Sequence, residues 1–248
     1  MSSHWIWHPS GAGLFTALPP GFAAGFSTRQ LAERDGSALA SLADALGAPE
    51  AERIRVRQVH GRDVVVLSTP PVPARELRLG PADALATGDA GRLLAVESAD
   101  CVPVLLLEPG IGWIAALHAG WRGTALRIVD AVLDTLLAQG GRTEKMLALF
   151  GPSIARDRYE VGPEVADALR DALDGAPVDA DVHLAGERDR SFVDVAAHDR
   201  ALLLRRGVLP GNIRMTGLCN AADAVRFPSY RRDGASTGRI LTGIVRLW

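Results

Sequence analysis

The residues best equipped for chemistry are two imidazoles and one thiol. His60, Cys101 and His118 each stand at the end of an apolar run with β-strand character. Nitrogen and sulfur donors suit Zn²⁺, and three protein ligands leave a fourth position for water or substrate, which is the pattern of a catalytic site. The three lie far apart in sequence, so spacing alone also admits plainer roles. Cys101, before Val102-Pro103-Val104, reads equally as a buried core thiol, and the histidines as hydrogen-bonded edge residues.

Other polar residues cluster around these three. Asp83, between Ala82 and Ala84, is either a partly buried carboxylate with a hydrogen-bonding or acid/base task or a turn residue. Asp100 precedes Cys101 and reads as an acceptor for the site only if the strand ends or bulges there. The segment His118-Ala119-Gly120-Trp121-Arg122-Gly123 is a glycine-rich turn opening into an apolar-periodic helix. Glycines allow close backbone approach, and a helix start offers free N–H groups, so an anion such as phosphate is expected beside Arg122. The turn lacks the Walker lysine. Trp121 either stacks on a base or caps the core. Ser229-Tyr230-Arg231-Arg232-Asp233 places two arginines in a tight turn, either solvated or in contact with an anion.

The elements that position these residues follow from periodicity. Strands are predicted over Gly25–Thr28, Ile54–Val59, Val64–Leu67, Leu93–Val96, Val102–Leu107, Trp113–Leu117, Met146–Phe150, Ile213–Gly217 and Ile240–Leu247. Gly61-Arg62-Asp63 reads as a hairpin connection between the second and third of these. Helices are predicted over Ala38–Leu46, from an N-cap at Thr124 to the stop at Gly140, over Pro163–Leu173, and from a cap at Asp194 to Arg206. Residues 1–25 read as irregular and Asp174–Arg190 as a surface loop. Strands outnumber helices and come in consecutive runs, so an α+β sandwich is expected rather than a doubly wound sheet, as one domain over 1–248.

Composition narrows the function classes. The 248 residues are 48% hydrophobic with a net charge of −2, enough for a sizeable core and without a cationic footprint for nucleic acid or anionic membrane. Two distant cysteines make no disulfide framework. No apolar run reaches the ~20 residues that span a bilayer, and the N-terminus lacks signal-peptide form. A cytoplasmic protein is expected, with no nucleic acid or membrane partner, and as a monomer.

Taken together, the motifs are similar to one family. Gln58-Val59-His60-Gly61, Ala82-Asp83-Ala84-Leu85, Ala99-Asp100-Cys101-Val102-Pro103-Val104-Leu105, His118-Ala119-Gly120-Trp121-Arg122-Gly123 and Ser229-Tyr230-Arg231-Arg232-Asp233 with Thr237-Gly238-Arg239 occur in its order. Gly25-Phe26-Ser27-Thr28-Arg29, Gly151-Pro152-Ser153-Ile154 and Tyr159-Glu160-Val161-Gly162 extend the likeness over nearly the whole chain. The chain resembles the laccase-domain family, long described as multicopper polyphenol oxidases and now regarded as purine nucleoside phosphorylases. The resemblance implies a four-layer α/β/β/α sandwich with mixed sheets, related to cysteine-hydrolase-like toxins. It implies Zn²⁺ held by His60, Cys101 and His118. It further implies phosphorolysis of adenosine, guanosine, inosine and 5′-methylthioadenosine, with adenosine deamination at the same site. Arg29, Gln58, Asp83, Asp100, Arg122, Tyr230 and Arg231 are the residues expected to bind substrate or phosphate, with Asp83, Asp100 or a water as general acid.

The chain departs from the family where Gln30-Leu31-Ala32-Glu33 replaces a glycine-containing segment, at Arg158 in the place of a frequent cysteine, and at Thr87-Gly88. Three rivals remain. A copper oxidase would bind Cu²⁺ through the same ligands and a weak axial Met. A thiol hydrolase would use Cys101 as nucleophile. A non-catalytic metal protein would close the site with a fourth ligand.

Overall fold

The structure, a computed structural model, describes residues 4–32, 37–173 and 182–248. The chain begins with β1 (Trp5–Trp7), β2 (Gly13–Phe15), β3 (Phe22–Phe26), α1 (Arg29–Ala32) and α2 (Ala38–Ala45). Seven strands follow: β4 (Glu52–Arg57), β5 (Val64–Leu67), β6 (Glu76–Pro81), β7 (Ala84–Thr87), β8 (Arg92–Ser98), β9 (Val102–Glu108) and β10 (Trp113–Ala119). Then come α3 (Trp121–Ala125), α4 (Ile128–Ala138), β11 (Leu147–Phe150), β12 (Glu160–Val161) and α5 (Pro163–Leu173). The chain closes with β13 (His183–Ala185), β14 (Ser191–Val193), α6 (Val195–Arg205), β15 (Ile213–Met215), α7 (Tyr230–Asp233) and β16 (Ile240–Arg246).

Two mixed sheets carry the molecule, in the orders β1-β2-β3-β16-β8-β4-β6 and β15-β11-β9-β10-β7-β5, and β12-β14-β13 forms a third, small sheet. Alternation along the strands builds the layers. Leu105 and Leu107 of β9 meet Ile54, Val56, Leu94 and Val96 of the seven-stranded sheet. Val104 and Leu106 of the same strand face Val129, Val132, Leu133 and Leu136 of α4, with α5 and α6 alongside. Beyond the first sheet, Leu93, Ala95 and Val245 pack on Leu39, Leu42 and Ala43 of α2. The result is helix, sheet, sheet, helix. Both faces of the central strands are covered, which is why every residue of β9 is buried and Val102–Leu107 is a continuous apolar run.

Several expectations are corrected. β4 and β5 are not a hairpin: β4 pairs in parallel with β6 and β8, whereas β5 pairs in parallel with β7 in the other sheet. The turn between them crosses from one sheet to the other, and β4 ends at Arg57, before Val59. A glycine-containing turn between two short strands looks local in sequence, but its strands find their partners elsewhere. Of the segment 1–25 expected to be irregular, the described part, residues 4–25, is not, because β1 and β2 pair with each other and β2 pairs with β3. Three-residue strands are too short to show a period.

Thr124 is not an N-cap. It is buried inside α3, whose cap is Gly120, and the expected single helix is broken where Arg127 takes a left-handed φ of 61°. The expected loop Asp174–Arg190 contains β13, paired with β14, and its residues 174–181 lie outside the described residues. The replaced segment after Arg29 enters α1 and its Glu33 also lies outside them. No helix among the described residues is long and apolar enough to cross a membrane.

Candidate metal centre

The sheet-crossing turn brings His60 against the start of β9 and the end of β10, and the three expected ligands converge there. His60, Cys101 and His118 offer one donor atom each, all within 4.8 Å of one another, and they are the one such cluster of three among the described residues. His60 Nε2 stands 3.9 Å from Cys101 Sγ, and the two imidazoles meet edge to face with centroids 4.9 Å apart. His60 itself is exposed and left-handed (φ 60°), whereas His118 is buried.

One carboxylate organises the group. Asp83, fully buried, accepts hydrogen bonds through Oδ2 from the amides of Val59 (3.1 Å) and Gly61 (2.7 Å). Through Oδ1 it accepts from the amide of His60 (3.0 Å) and from Nδ1 of His118 (2.9 Å). It therefore holds the strained turn that presents one ligand and fixes the tautomer of another, leaving His118 Nε2 as the donor. Burial disfavours the charge of Asp83, but the hydrogen bonds from His118 and the backbone amides outweigh it and lower its pKa.

The glycines of the turn have a different task from the one expected. A Cβ on Gly120 would stand 2.8 Å from His60 Cδ2 and 3.0 Å from Cys101 Sγ, and one on Gly123 would stand 3.0 Å from the carbonyl oxygen of Gly61. They make room for the ligands and for the sheet-crossing turn. The expected anion cradle is not what these glycines form, and α3 has only five residues.

The donor set fits a cation. Burial opposes ionisation of Cys101, but hydrogen bonds and charge from His118 and His60 outweigh it and bring the thiol down to about 6. Burial likewise disfavours charge on His118, yet hydrogen bonds to Asp83 and Cys101 lift it to about 9. A thiolate beside an imidazolium is what a metal-free N/S/N site holds, and a soft or borderline cation replaces the imidazolium proton. The space that a Cβ at Gly120 would fill lies against His60 and Cys101.

Around the donors opens a cleft of about 620 Å³ lined by Gln58, Asp100, Arg122, Tyr230 and Arg231 among the expected residues. It is also lined by Arg78, Glu97, Tyr159 and Arg239, which sequence reasoning did not single out, and by Trp121. Asp100 lies in the turn before β9 with φ 98°, and its carboxylate is an anchor. It accepts from Asn220 Nδ2 (2.9 Å), Ser229 Oγ (2.7 Å) and the amide of Arg231 (2.6 Å), tying α7 beside Cys101. Neither Asp83 nor Asp100 is thus free to act as an acid, and Asp83 does not line the cleft.

The Gln58 amide exchanges two hydrogen bonds with the backbone of Glu97, so it joins the ends of β4 and β8. Arg29 does not line the cleft; it pairs with Asp233 at 2.8 Å and steadies α7. Arg122 lies over the Trp121 ring at 4.4 Å, and Arg231 lies over Tyr159 at 4.8 Å while donating to the carbonyl of Glu160. The signal that would have flagged Tyr159 is its motif with Glu160-Val161-Gly162, and for Glu97 its place at a strand end beside Ser98.

A family model described as multi-copper polyphenol oxidoreductase laccase matches residues 21–247. The chain is 40% identical over 202 residues to a purine nucleoside phosphorylase of Deinococcus radiodurans, covering 81% of this chain and 73% of the other. It is 35% identical over 217 residues to adenosine deaminase RL5 from an unknown prokaryotic organism, covering 83% and 79%. The crystal structure of YlmD from Geobacillus stearothermophilus shares the fold with a TM-score of 0.86 at 27% identity over 99% of both chains.

Proposed function

The chain belongs to the multi-copper polyphenol oxidoreductase laccase family, and within it we propose that this protein is a zinc-dependent purine nucleoside phosphorylase. The observation that carries the reading is a two-imidazole, one-thiolate donor set opening on a cleft that Arg122 flanks. The names of two relatives support purine nucleosides as substrates. We take adenosine, guanosine, inosine and 5′-methylthioadenosine as the set, with adenosine deamination as a second activity of the same site.

When bound, the ion supplies Lewis-acid polarisation of a substrate oxygen or of an attacking water. The protein's own groups do the rest. Asp83 fixes the ligands, and Arg122 holds phosphate against the sugar, a proximity effect. Tyr230, exposed on α7, offers an aromatic face to a purine, and the cleft volume suits a nucleoside with phosphate. A copper oxidase is the weaker reading. Among the described residues no methionine lines the cleft to serve as axial ligand, and no second cluster of three donors exists for further coppers.

The test incubates purified protein with adenosine, with and without phosphate, and follows adenine, ribose 1-phosphate and inosine. Phosphate-dependent adenine release that Cys101→Ala abolishes is the expected result. Unchanged turnover in Cys101→Ala, or full activity in metal-free protein, refutes the reading.

A further inference from the structure

Cleavage of a purine nucleoside leaves the electron pair of the glycosidic bond on the base, and the base must gain a proton. The carboxylates of the cleft are already engaged. Asp100 has both oxygens occupied by Asn220, Ser229 and the amide of Arg231. Glu97 pairs through one oxygen with Arg55 at 2.9 Å and through the other with Arg78 at 2.8 Å.

What remains is phenolic. Tyr230 is 56% exposed on α7, whereas Tyr159 is held. Its amide donates to the carbonyl of Arg156, its carbonyl accepts from the amide of Val193, its ring packs on the helix-side core, and Arg231 covers the ring face. Its hydroxyl has no hydrogen-bond partner among the described residues, yet it lies within the fields of Cys101, Arg231, Asp100 and Arg122. Burial, then the thiolate of Cys101, push the phenol up to about 12, so it stays a donor at working pH.

Resting on the phosphorolysis reading, we propose that Tyr159 is the catalytic group that hydrogen-bonds the departing purine and relays its proton. An oxygen of hydrogen phosphate forms the bond to C1′ as the C1′–N9 bond breaks, and the bond pair stays on the purine. The hydroxyl proton of Tyr159 passes to a ring nitrogen while the proton carried by the phosphate replaces it. Tyr159 ends as it began, ribose 1-phosphate leaves as the dianion, and no phenolate accumulates. Arg231 lies over its ring and Arg122 lines the same cleft, so the relay shares the cavity with the arginine proposed to hold phosphate.

The experiment compares guanosine with 7-methylguanosine, whose cationic purine leaves neutral and needs no proton. Tyr159→Phe keeps the ring beneath Arg231 and is expected to lower kcat about 100-fold for guanosine and less than about threefold for 7-methylguanosine, with metal content unchanged. Independently of any variant, the wild-type protein should show a solvent deuterium isotope effect with guanosine and none with 7-methylguanosine. Equal loss on both substrates, loss on neither, or equal isotope effects overturn the role of Tyr159 while leaving phosphorolysis standing. Wild-type protein that forms ribose 1-phosphate from neither nucleoside removes the phosphorolysis reading, and the relay with it.

Discussion

Replacing Asp83 by Asn keeps the side-chain shape and exchanges one acceptor for a donor. Each carboxylate oxygen accepts two hydrogen bonds, so the new NH₂ group faces two N–H donors whichever way the amide turns. Placed at the Oδ2 position, it confronts the amides of Val59 and Gly61. Placed at Oδ1, it confronts His60 N and forces His118 Nδ1 to accept, which moves the imidazole proton to Nε2 and removes the ligand atom. In the first placement two hydrogen bonds to a charged acceptor are lost, at about 1.5 kcal/mol each on the low side, or about 3 kcal/mol. For a chain of 248 residues that lowers the melting temperature of the metal-free protein by about 6–12 °C. Loss of the orienting partner weakens metal binding about 10–100-fold, equivalent to about 1.4–2.7 kcal/mol. Melting in chelator measures the first effect and competition with a chromophoric chelator the second. A variant that melts within about 2 °C of the parent and binds zinc within about twofold refutes the account of Asp83.

Three further outcomes follow from the same geometry. Gly120 has an ordinary φ of −74°, so Gly120→Ala should fold normally yet bind zinc at least about tenfold more weakly because its Cβ intrudes on His60 and Cys101; equal metal affinity refutes this. In metal-free Cys219→Ala protein, thiolate absorbance of Cys101 should rise through pH 6 as the lowered thiol ionises, whereas an inflection near the ordinary ~8.5 contradicts the pairing with His118 and His60. Arg122→Ala should raise KM for phosphate about tenfold and leave KM for the nucleoside within about twofold; the reverse pattern moves phosphate elsewhere.

The three converging donors were legible chiefly because their residue types pointed to them. Cys101 and His118 do stand where β9 begins and β10 ends, whereas β4 stops at Arg57 and His60 sits three residues on, in the sheet-crossing turn. The sandwich was legible for a similar reason: runs such as Val102–Leu107 have no polar face, so they demand cover on both sides. What the sequence hid were relationships between distant residues. Asp83 draws its meaning from three amides at 59–61 and an imidazole at 118, and nothing in Ala82-Asp83-Ala84 announces them. Tyr159 gains its setting from Arg231, 72 positions further on. The hairpin expected at Gly61 failed because sheet partners are chosen non-locally. The glycine-rich turn was misread because a missing Cβ looks the same in sequence whether it admits an anion or a neighbouring imidazole.

The two aspartates bear on how this cleft could accept the phosphate that the phosphorolysis reading requires. A site that recruits phosphate next to a thiolate and two carboxylates would repel it unless those negative charges were already satisfied. Asp83 spends its charge on three backbone amides and His118, and Asp100 on the anchorage of α7. Glu97 is matched by Arg55 and Arg78, and Cys101 is matched by a protonated His118 or by the cation that replaces its proton. Against these settled pairs stand three guanidinium groups on the cleft wall with no carboxylate partner among the described residues, of which Arg231 meets the Tyr159 ring and the carbonyl of Glu160. Arg122 meets only the Trp121 ring, and Arg239 donates only to the carbonyls of Thr237 and Gly238. A protein of net charge −2 therefore keeps unmatched guanidinium groups on the wall of this cleft, beside His60, Cys101 and His118. On the phosphorolysis reading, low-dielectric walls would focus the field of those guanidinium groups toward an incoming phosphate.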